Sequence, residues 1–284
     1  MELILSILAG VGLFLYGMNL MSDGLQKVAG QKMRDVLEKL TKSSIMGLLL
    51  GIIFTGIIQS SNATTVLVVS FVNSGIMKLS QSVGVIMGAN IGTTVTGQLI
   101  SFKLDAIAPF FIIAGVILVM FIKKPMAKRI GEVVLGFGIL FFGMSTLSSS
   151  VKHLNQFAAV KTLFGSVTNP FLAVLIGFVL TSILQSASAS VGILIVLASS
   201  GLIHPDICYY IIMGCDIGAC GSAVLSSLGG NKDAKRAALI HLSFNVIGTV
   251  IVMILLAVAG NPIRSAIHGL TASIADTGLR AGRD

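Results

Sequence analysis

The sequence predicts an all-α integral membrane protein made of two inverted-topology repeats, each with three spanning segments and one re-entrant hairpin. Three observations lead there. The apolar runs are long and unbroken. The chain matches itself at a fixed offset. Each half also holds an apolar segment cut by a polar turn into pieces too short to cross a bilayer.

Of the 284 residues, 55% are hydrophobic and only 11% are charged, with a mean hydropathy of +0.98. Soluble domains carry about 25% charged residues, so this chain has too few to cover a water-facing surface. Leu3–Met21, Ile107–Ile122, Val133–Leu147 and Ala237–Ala259 are apolar runs of helical type. Runs near 20 residues match a hydrocarbon core of about 30 Å. A β-barrel would alternate apolar and polar residues instead. The first run is read as a membrane helix, because Met1-Glu2 supplies no basic n-region and Tyr16-Gly17 no cleavage site.

The net charge of +8 and pI near 9.6 come from basic residues in short loops between apolar runs. That placement fits anchoring at a lipid surface rather than nucleic-acid binding. Cys208, Cys215 and Cys220 share one apolar region without metal-ligand spacing and read as small packing residues.

A shift of 126 residues, Gln59 onto Gln185, brings the two halves into register without a gap. Gly10, Gly17 and Met18 fall on Gly136, Gly143 and Met144. Thr55 falls on Thr181, Ser74-Gly75 on Ser200-Gly201, and Ile86-Met87-Gly88 on Ile212-Met213-Gly214. The repeats occupy 1–125 and 126–260, and 261–284 reads as an amphipathic or disordered tail.

The elements of each half follow in order. A spanning helix (Leu3–Met21; Val133–Leu147) precedes an amphipathic stretch (Leu25–Thr41; Val151–Phe164). Next comes the segment interrupted by Gln-Ser (Ile45–Asn73; Phe171–Ser199). A segment interrupted by Gly follows (Ser80–Ser101; Asp206–Ser227). A last spanning helix (Ile107–Ile122; Ala237–Ala259) closes the half. Ile45–Ile58 gives about 21 Å of helix and Ala63–Asn73 about 16 Å. Neither crosses the core, so a hairpin entering and leaving on one side is expected. Three crossings per half then invert the second half, a plan that places sites on discontinuous helices at the midplane. The same topology collects most of the 19 Lys and Arg on one side, which the positive-inside rule would make cytoplasmic, with both termini outside.

The tips read Gln59-Ser60-Ser61-Asn62-Ala63-Thr64-Thr65 and Gln185-Ser186-Ala187-Ser188-Ala189-Ser190. Ser and Asn cap helix N-termini, whose unpaired N–H groups and partial positive charge suit an anion. Two such ends facing across a pseudo-two-fold would enclose a tetrahedral oxyanion. No Lys or Arg lies between Ser43 and Met77 or between Thr162 and Asn231. Helix ends alone offset a divalent anion poorly in a low-dielectric site. Bound cations on hard oxygen ligands would supply the charge, and Na⁺ suits that ligand set. Hydroxyls in membrane helices often serve packing instead. Two matched breaks in a duplicated chain favour binding.

The second breaks, Gly88-Ala89-Asn90-Ile91-Gly92-Thr93-Thr94 and Gly214-Cys215-Asp216-Ile217-Gly218-Ala219-Cys220, pair glycines that permit local unwinding. Asn90 and Asp216 correspond. Asp216 is ionisable within an apolar segment, so a Na⁺ or proton role competes with simple helix capping. His241 and Asn245, one turn apart, either brace the site or bridge helices. Asp105, Asp206, His153, His204 and His268 fall near helix ends and read as interfacial.

These tips and the Gly88–Thr94 run resemble the type II sodium–phosphate cotransporter family, over nearly the whole chain from Gly10 to about Gly260. The resemblance implies phosphate as substrate, Na⁺ as driver and both bound at the hairpin tips. The second half departs from the family pattern at Ala187 and at Cys215-Asp216, losing hydroxyls and gaining a carboxylate, which leaves ion number and identity open. Many bacterial relatives carry a C-terminal phosphate-regulatory domain, and a member without it is expected, since the sequence stops soon after Leu270. Relatives with that domain imply the opposite membrane orientation, so the sequence leaves orientation open.

The expected function is Na⁺-coupled phosphate symport by alternating access in a multi-pass cell-membrane protein. Ser60, Ser61, Asn62, Ser186 and Ser188 are expected to hold phosphate. Gln59, Thr64, Thr65, Asn90, Thr93, Gln185, Ser190 and Asp216 are expected to help hold Na⁺. No cofactor beyond the coupling ion and no metal beyond sodium is expected. Partners are phosphate, Na⁺ and lipid, with a homodimer left open and nucleic acid excluded. A passive anion channel and a non-transporting phosphate sensor are the alternatives. No nucleophile–base pair suggests an enzyme.

Overall fold

The computed structural model describes residues 2–41, 43–102, 104, 106–154 and 156–281, without side chains at 39, 159, 161, 264, 267, 268 and 270–281. Asp105 and the His268 side chain lie outside the described residues. Eleven helices and no strand occur among those described: α1 Glu2–Leu40, α2 Ser44–Ile58, α3 Ser61–Asn73, α4 Leu79–Ser101, α5 Ala108–Phe121, α6 Pro125–Leu154, α7 Ala158–Gly165, α8 Pro170–Leu184, α9 Ala187–Ser199, α10 Pro205–Ser227 and α11 Lys232–Ala281. Five of them, α1, α4, α6, α10 and α11 as far as Ile263, are long and apolar enough to cross a membrane. Leu5, Phe110, Phe171 and Val258 are among many large apolar side chains left at the surface. Water would penalise that surface and lipid does not. The molecule is a multi-pass membrane protein.

The expected breaks at Gln-Ser are present. α2 and α3, at 15 and 13 residues, extend about 22 and 20 Å. α8 and α9 have the same lengths. Other elements differ from the expected bounds or are newly defined. Leu3–Met21 and Leu25–Leu40 form one 39-residue helix, α1, with only Gly24 as a weak breaker between them. The matching stretch of the second half divides into α6 and α7. α5 has 14 residues, about 21 Å, and falls short of spanning length. The tail from 261 is helical to Ala281, after a kink at Ala259 just before Pro262.

A further difference concerns the paired glycines. α4 and α10 are continuous helices, not unwound at Gly88–Gly92 or Gly214–Gly218. Their glycines give close approach. A Cβ on Gly88 would strike Leu48 O of α2, and one on Gly214 would strike Val174 O of α8. Small residues at such crossings let helix backbones touch, the usual device where lipid removes the hydrophobic drive for helix pairing.

α1 and α6 pack antiparallel along a second glycine seam. Gly10 lies against Leu147, Gly17 against Leu140, and Gly24 against Val133. Gly136 lies against Met21 and Gly143 against Phe14. Phe14, Met18, Met21, Leu140 and Phe141 fill a core cluster at this seam, joined by Ala189 of α9. The seam therefore holds the long α1–α6 pair beside the second hairpin.

Candidate functional site

Each Gln-Ser turn is built by the same local rules. Gln59 ends α2 in the left-handed region at φ 59°, ψ 27°, and Gln185 ends α8 at φ 54°, ψ 26°. This conformation costs a non-glycine residue roughly 1–2 kcal/mol. Local bonds hold it. The Gln59 N–H donates to Thr55 O at 2.8 Å and the Gln185 N–H to Thr181 O at 2.7 Å. Gln59 Nε2 donates to Gly56 O, and Gln185 Nε2 donates to Ser182 O at 2.6 Å.

Ser60 and Ser186 then cap α3 and α9. Their Oγ atoms accept from Ala63 N and Ala189 N, both at 3.2 Å. One turn deeper, Thr55 Oγ1 and Thr64 Oγ1 share a hydrogen bond of 2.8 Å. Thr181 Oγ1 donates to Ser190 Oγ at 2.7 Å. These buried pairs tie α2 to α3 and α8 to α9. The N–H groups of Ser61, Asn62, Ala187 and Ser188, in the first turns of α3 and α9, have no acceptor within their own helices.

The two turns meet. Asn62 Nδ2 donates to Gln185 O at 2.6 Å, from the first hairpin to the second. Between them lies a cavity of about 80 Å³, lined by Gln59, Ser60, Ser61, Asn62, Gln185, Ser186, Ala187 and Ser188, and by Met18, Asn19 and Ser22 of α1. It is far smaller than the roughly 300–1,000 Å³ of organic-ligand pockets and suits a small ion. No side chain lining it is charged. Gln59 Oε1 is buried and has no hydrogen-bond partner among the described residues. An orphaned acceptor of this kind costs about 1–3 kcal/mol unless a ligand satisfies it.

The structure thus brings Gln59, Ser60, Ser61, Asn62, Gln185, Ser186 and Ser188 together. Thr64, Thr65 and Ser190 lie behind the wall: Thr65 Oγ1 donates to Asn62 O at 3.2 Å, and Thr64 and Ser190 make the buried pairs above. Asn90, Thr93 and Asp216 do not line the cavity. Asn90 Nδ2 donates to Asn245 Oδ1 at 2.8 Å, and Asn90 Oδ1 faces His241 Nε2 at 3.3 Å. His241 and Asn245 therefore bridge α11 to α4. Thr93 donates to Ala89 O. Asp216 is partly buried mid-way along α10, and its carboxylate has no hydrogen-bond partner among the described residues.

Asn19 and Ser22 belong to the cavity wall although no sequence motif marks them. Ser22 Oγ donates to Ile58 O at 3.1 Å, fastening α1 to the end of α2. The available signal was two polar residues three apart in an apolar run, one of them matched by Ser148 at the repeat offset. His153 and His204 stand at helix ends. His153 faces Ser149 O in the last turn of α6, and His204 caps α10.

The family profile described as Na⁺/Pi-cotransporter matches the chain twice, over residues 13–149 and 142–274. The chain belongs to the Na⁺/Pi-cotransporter family. Each match contains one Gln-Ser turn of the cavity, so the family pattern itself is doubled here. Among relatives of this cotransporter-family chain, the Bacillus subtilis protein YqeW is 34% identical over 256 residues, covering 89% of this chain and 82% of that protein. The Escherichia coli K12 protein named "Putative inorganic phosphate export protein YjbB" is 30% identical over 251 residues, 88% of this chain but 46% of its own length. The chain thus spans about half of that relative. Mouse sodium-dependent phosphate transport protein 2A is 33% identical over 96 residues, 33% of this chain and 15% of the mouse protein. No solved structure matches.

Proposed function

We propose that this chain moves inorganic phosphate across the membrane by Na⁺-coupled alternating access, with the anion bound between the two Gln-Ser turns. One observation carries the reading: two helix N-termini from matching parts of the chain converge on a small, polar, uncharged cavity. Ser60, Ser61, Asn62, Ser186 and Ser188 offer hydroxyl, amide and backbone donors to a tetrahedral oxyanion. No Lys or Arg lines the cavity, so the charge of phosphate calls for bound cations.

The oxygens available for Na⁺ are Gln59 Oε1, which is orphaned, and the hydroxyls and carbonyls of the turns. Gln185 is the counterpart of Gln59 in the second turn. Thr64, Thr65 and Ser190 stand one layer behind the turns. Asp216 is a carboxylate within a spanning helix, and such residues are functional by default. Asn90 and Thr93 reach an ion only if α4 shifts. The strained Gln59 and Gln185 conformations support a functional assignment, because strain concentrates where chemistry requires it.

The α1–α6 seam supports the inverted-repeat plan. At the repeat offset, the Gly17–Leu140 contact becomes Phe14–Gly143, and Gly10–Leu147 becomes Met21–Gly136. Contacts that exchange in this way across an antiparallel pair are those of a two-fold lying in the membrane plane. The names of the Escherichia coli and mouse relatives agree on phosphate.

The test is radiolabelled phosphate flux in proteoliposomes. Uptake should rise several-fold with an inward Na⁺ gradient and collapse when K⁺ replaces Na⁺. Flux indifferent to Na⁺ would indicate an anion channel, and binding without flux a sensor; either outcome removes the symport reading.

A further inference from the structure

Two clefts lie along the α1–α6 pair, one on α1 adjoining the tip cavity and one on α6 at positions that overlap the α1 file at the repeat offset. The first, about 240 Å³, has Gln26, Lys27, Gln31 and Arg34 of α1 facing Ile58 and Ala63 of the first hairpin. The second, about 190 Å³, is lined by Ser145, Ser148 and Lys152 of α6 with Ser101 and Ser199. At the repeat offset, Ser145, Ser148 and Lys152 take the places of Asn19, Ser22 and Gln26.

On α1 the polar residues form one file. Asn19 and Ser22 line the tip cavity, and Gln26 and Arg34 line the cleft. Steps of three, four and eight residues keep them on one helix face. From Asn19 to Arg34 the file rises about 22 Å. Gln26 Nε2 donates to Ser22 Oγ at a long 3.3 Å, and this pair stands where cleft and cavity adjoin. Lys27 is neutralised by Glu132 at 2.8 Å, whereas Arg34 is exposed with no ion pair among the described residues.

The antiparallel seam places the clefts on opposite sides of the tips. Residues 26–34 of α1 lie beyond the Gly24–Val133 contact, toward the start of α6. Residues 145–152 of α6 lie around the Gly10–Leu147 contact, at the other end. A helix end that was merely solvated would not need a polar file leading back to the cavity, as α1 has.

We propose that these clefts are the aqueous vestibules through which an oxyanion reaches the tips from the two sides of the membrane. Arg34 collects it at one mouth and Lys152 at the other, and the Gln26–Ser22 pair is the inner constriction of the first. The inference rests on the tip cavity being the phosphate site.

Gln31→Cys and Ser148→Cys, made separately in the full chain, test it with a membrane-impermeant maleimide. Cys215 and Cys220 are buried and Cys208 is half-buried, so the unsubstituted protein sets the background. In vesicles of known orientation, each variant should label from one face only, and the two faces should differ. Labelling of both from the same face, or of neither, overturns the vestibules. Arg34→Gln and Lys152→Gln should each raise the half-saturating phosphate concentration about 3- to 10-fold at low salt when phosphate is presented at that mouth, an effect lost at high salt. No change at low salt removes the collecting role. Labelling needs only water access. Correct labelling with no phosphate binding would therefore fault the tip site, and binding with wrong labelling would fault only the vestibules.

Discussion

Asn62→Asp separates a binding role of the tips from a purely structural one, because the two roles predict opposite outcomes. The change preserves size and shape and places a carboxylate in the first turn of α3. There it meets the positive end of the helix, which favours an acidic side chain by about 0.3–1 kcal/mol. It also removes the Asn62 Nδ2 donor to Gln185 O, a bond contributing about 0.5–1.5 kcal/mol. These terms nearly offset, so stability should move by no more than about 1 kcal/mol. An anion in the cavity would face the new charge at close range. At about 4 Å and an effective dielectric of about 20, two unit charges repel by about 4 kcal/mol. That converts to roughly a 10³-fold loss of phosphate affinity. Thermal unfolding in detergent reads the first quantity and equilibrium phosphate binding the second. Phosphate affinity within about threefold of the parent, at unchanged stability, would show that the anion does not sit between these turns.

Ser60→Ala and Ser186→Ala should weaken phosphate binding by similar factors, about 10- to 100-fold each, since each removes one hydroxyl donor to an anion and one helix cap; uptake titrations check this. Gly17→Val and Gly143→Val should each destabilise the fold by more than about 2 kcal/mol, because the added side chain meets backbone across the α1–α6 seam; thermal unfolding and size-exclusion profiles report it. Asn90→Leu should cost about 1–3 kcal/mol by leaving His241 Nε2 and Asn245 Oδ1 unpaired at a buried helix contact. Adding His241→Phe should return part of that loss, measured as a double-mutant cycle.

Much of the site was legible in the sequence because its causes are local. A Gln-Ser pair followed by hydroxyl residues ends one helix and caps the next wherever it stands, and the structure shows this at Ser60 and Ser186. Non-local facts were harder. Gly88 and Gly214 suggested unwinding, since a glycine's sequence does not say whether its missing side chain frees the backbone or admits a neighbour. The structure decides for the neighbour, Leu48 O in one half and Val174 O in the other. Nor does the sequence show that the Asn90 amide pairs with His241 and Asn245, some 150 positions away.

The sequence by itself determined that this protein lives in a membrane, that it is doubled, and where its two interrupted segments break. Those properties follow from composition, run length and capping, which act over a few residues. Only the tertiary structure decided that both turns reach the same cavity, that α1 supplies Asn19 and Ser22 to its wall, and that Asn62 joins the two tips. These depend on the glycine seams that set how closely and in which direction distant helices pack, and no stretch of chain carries that information alone.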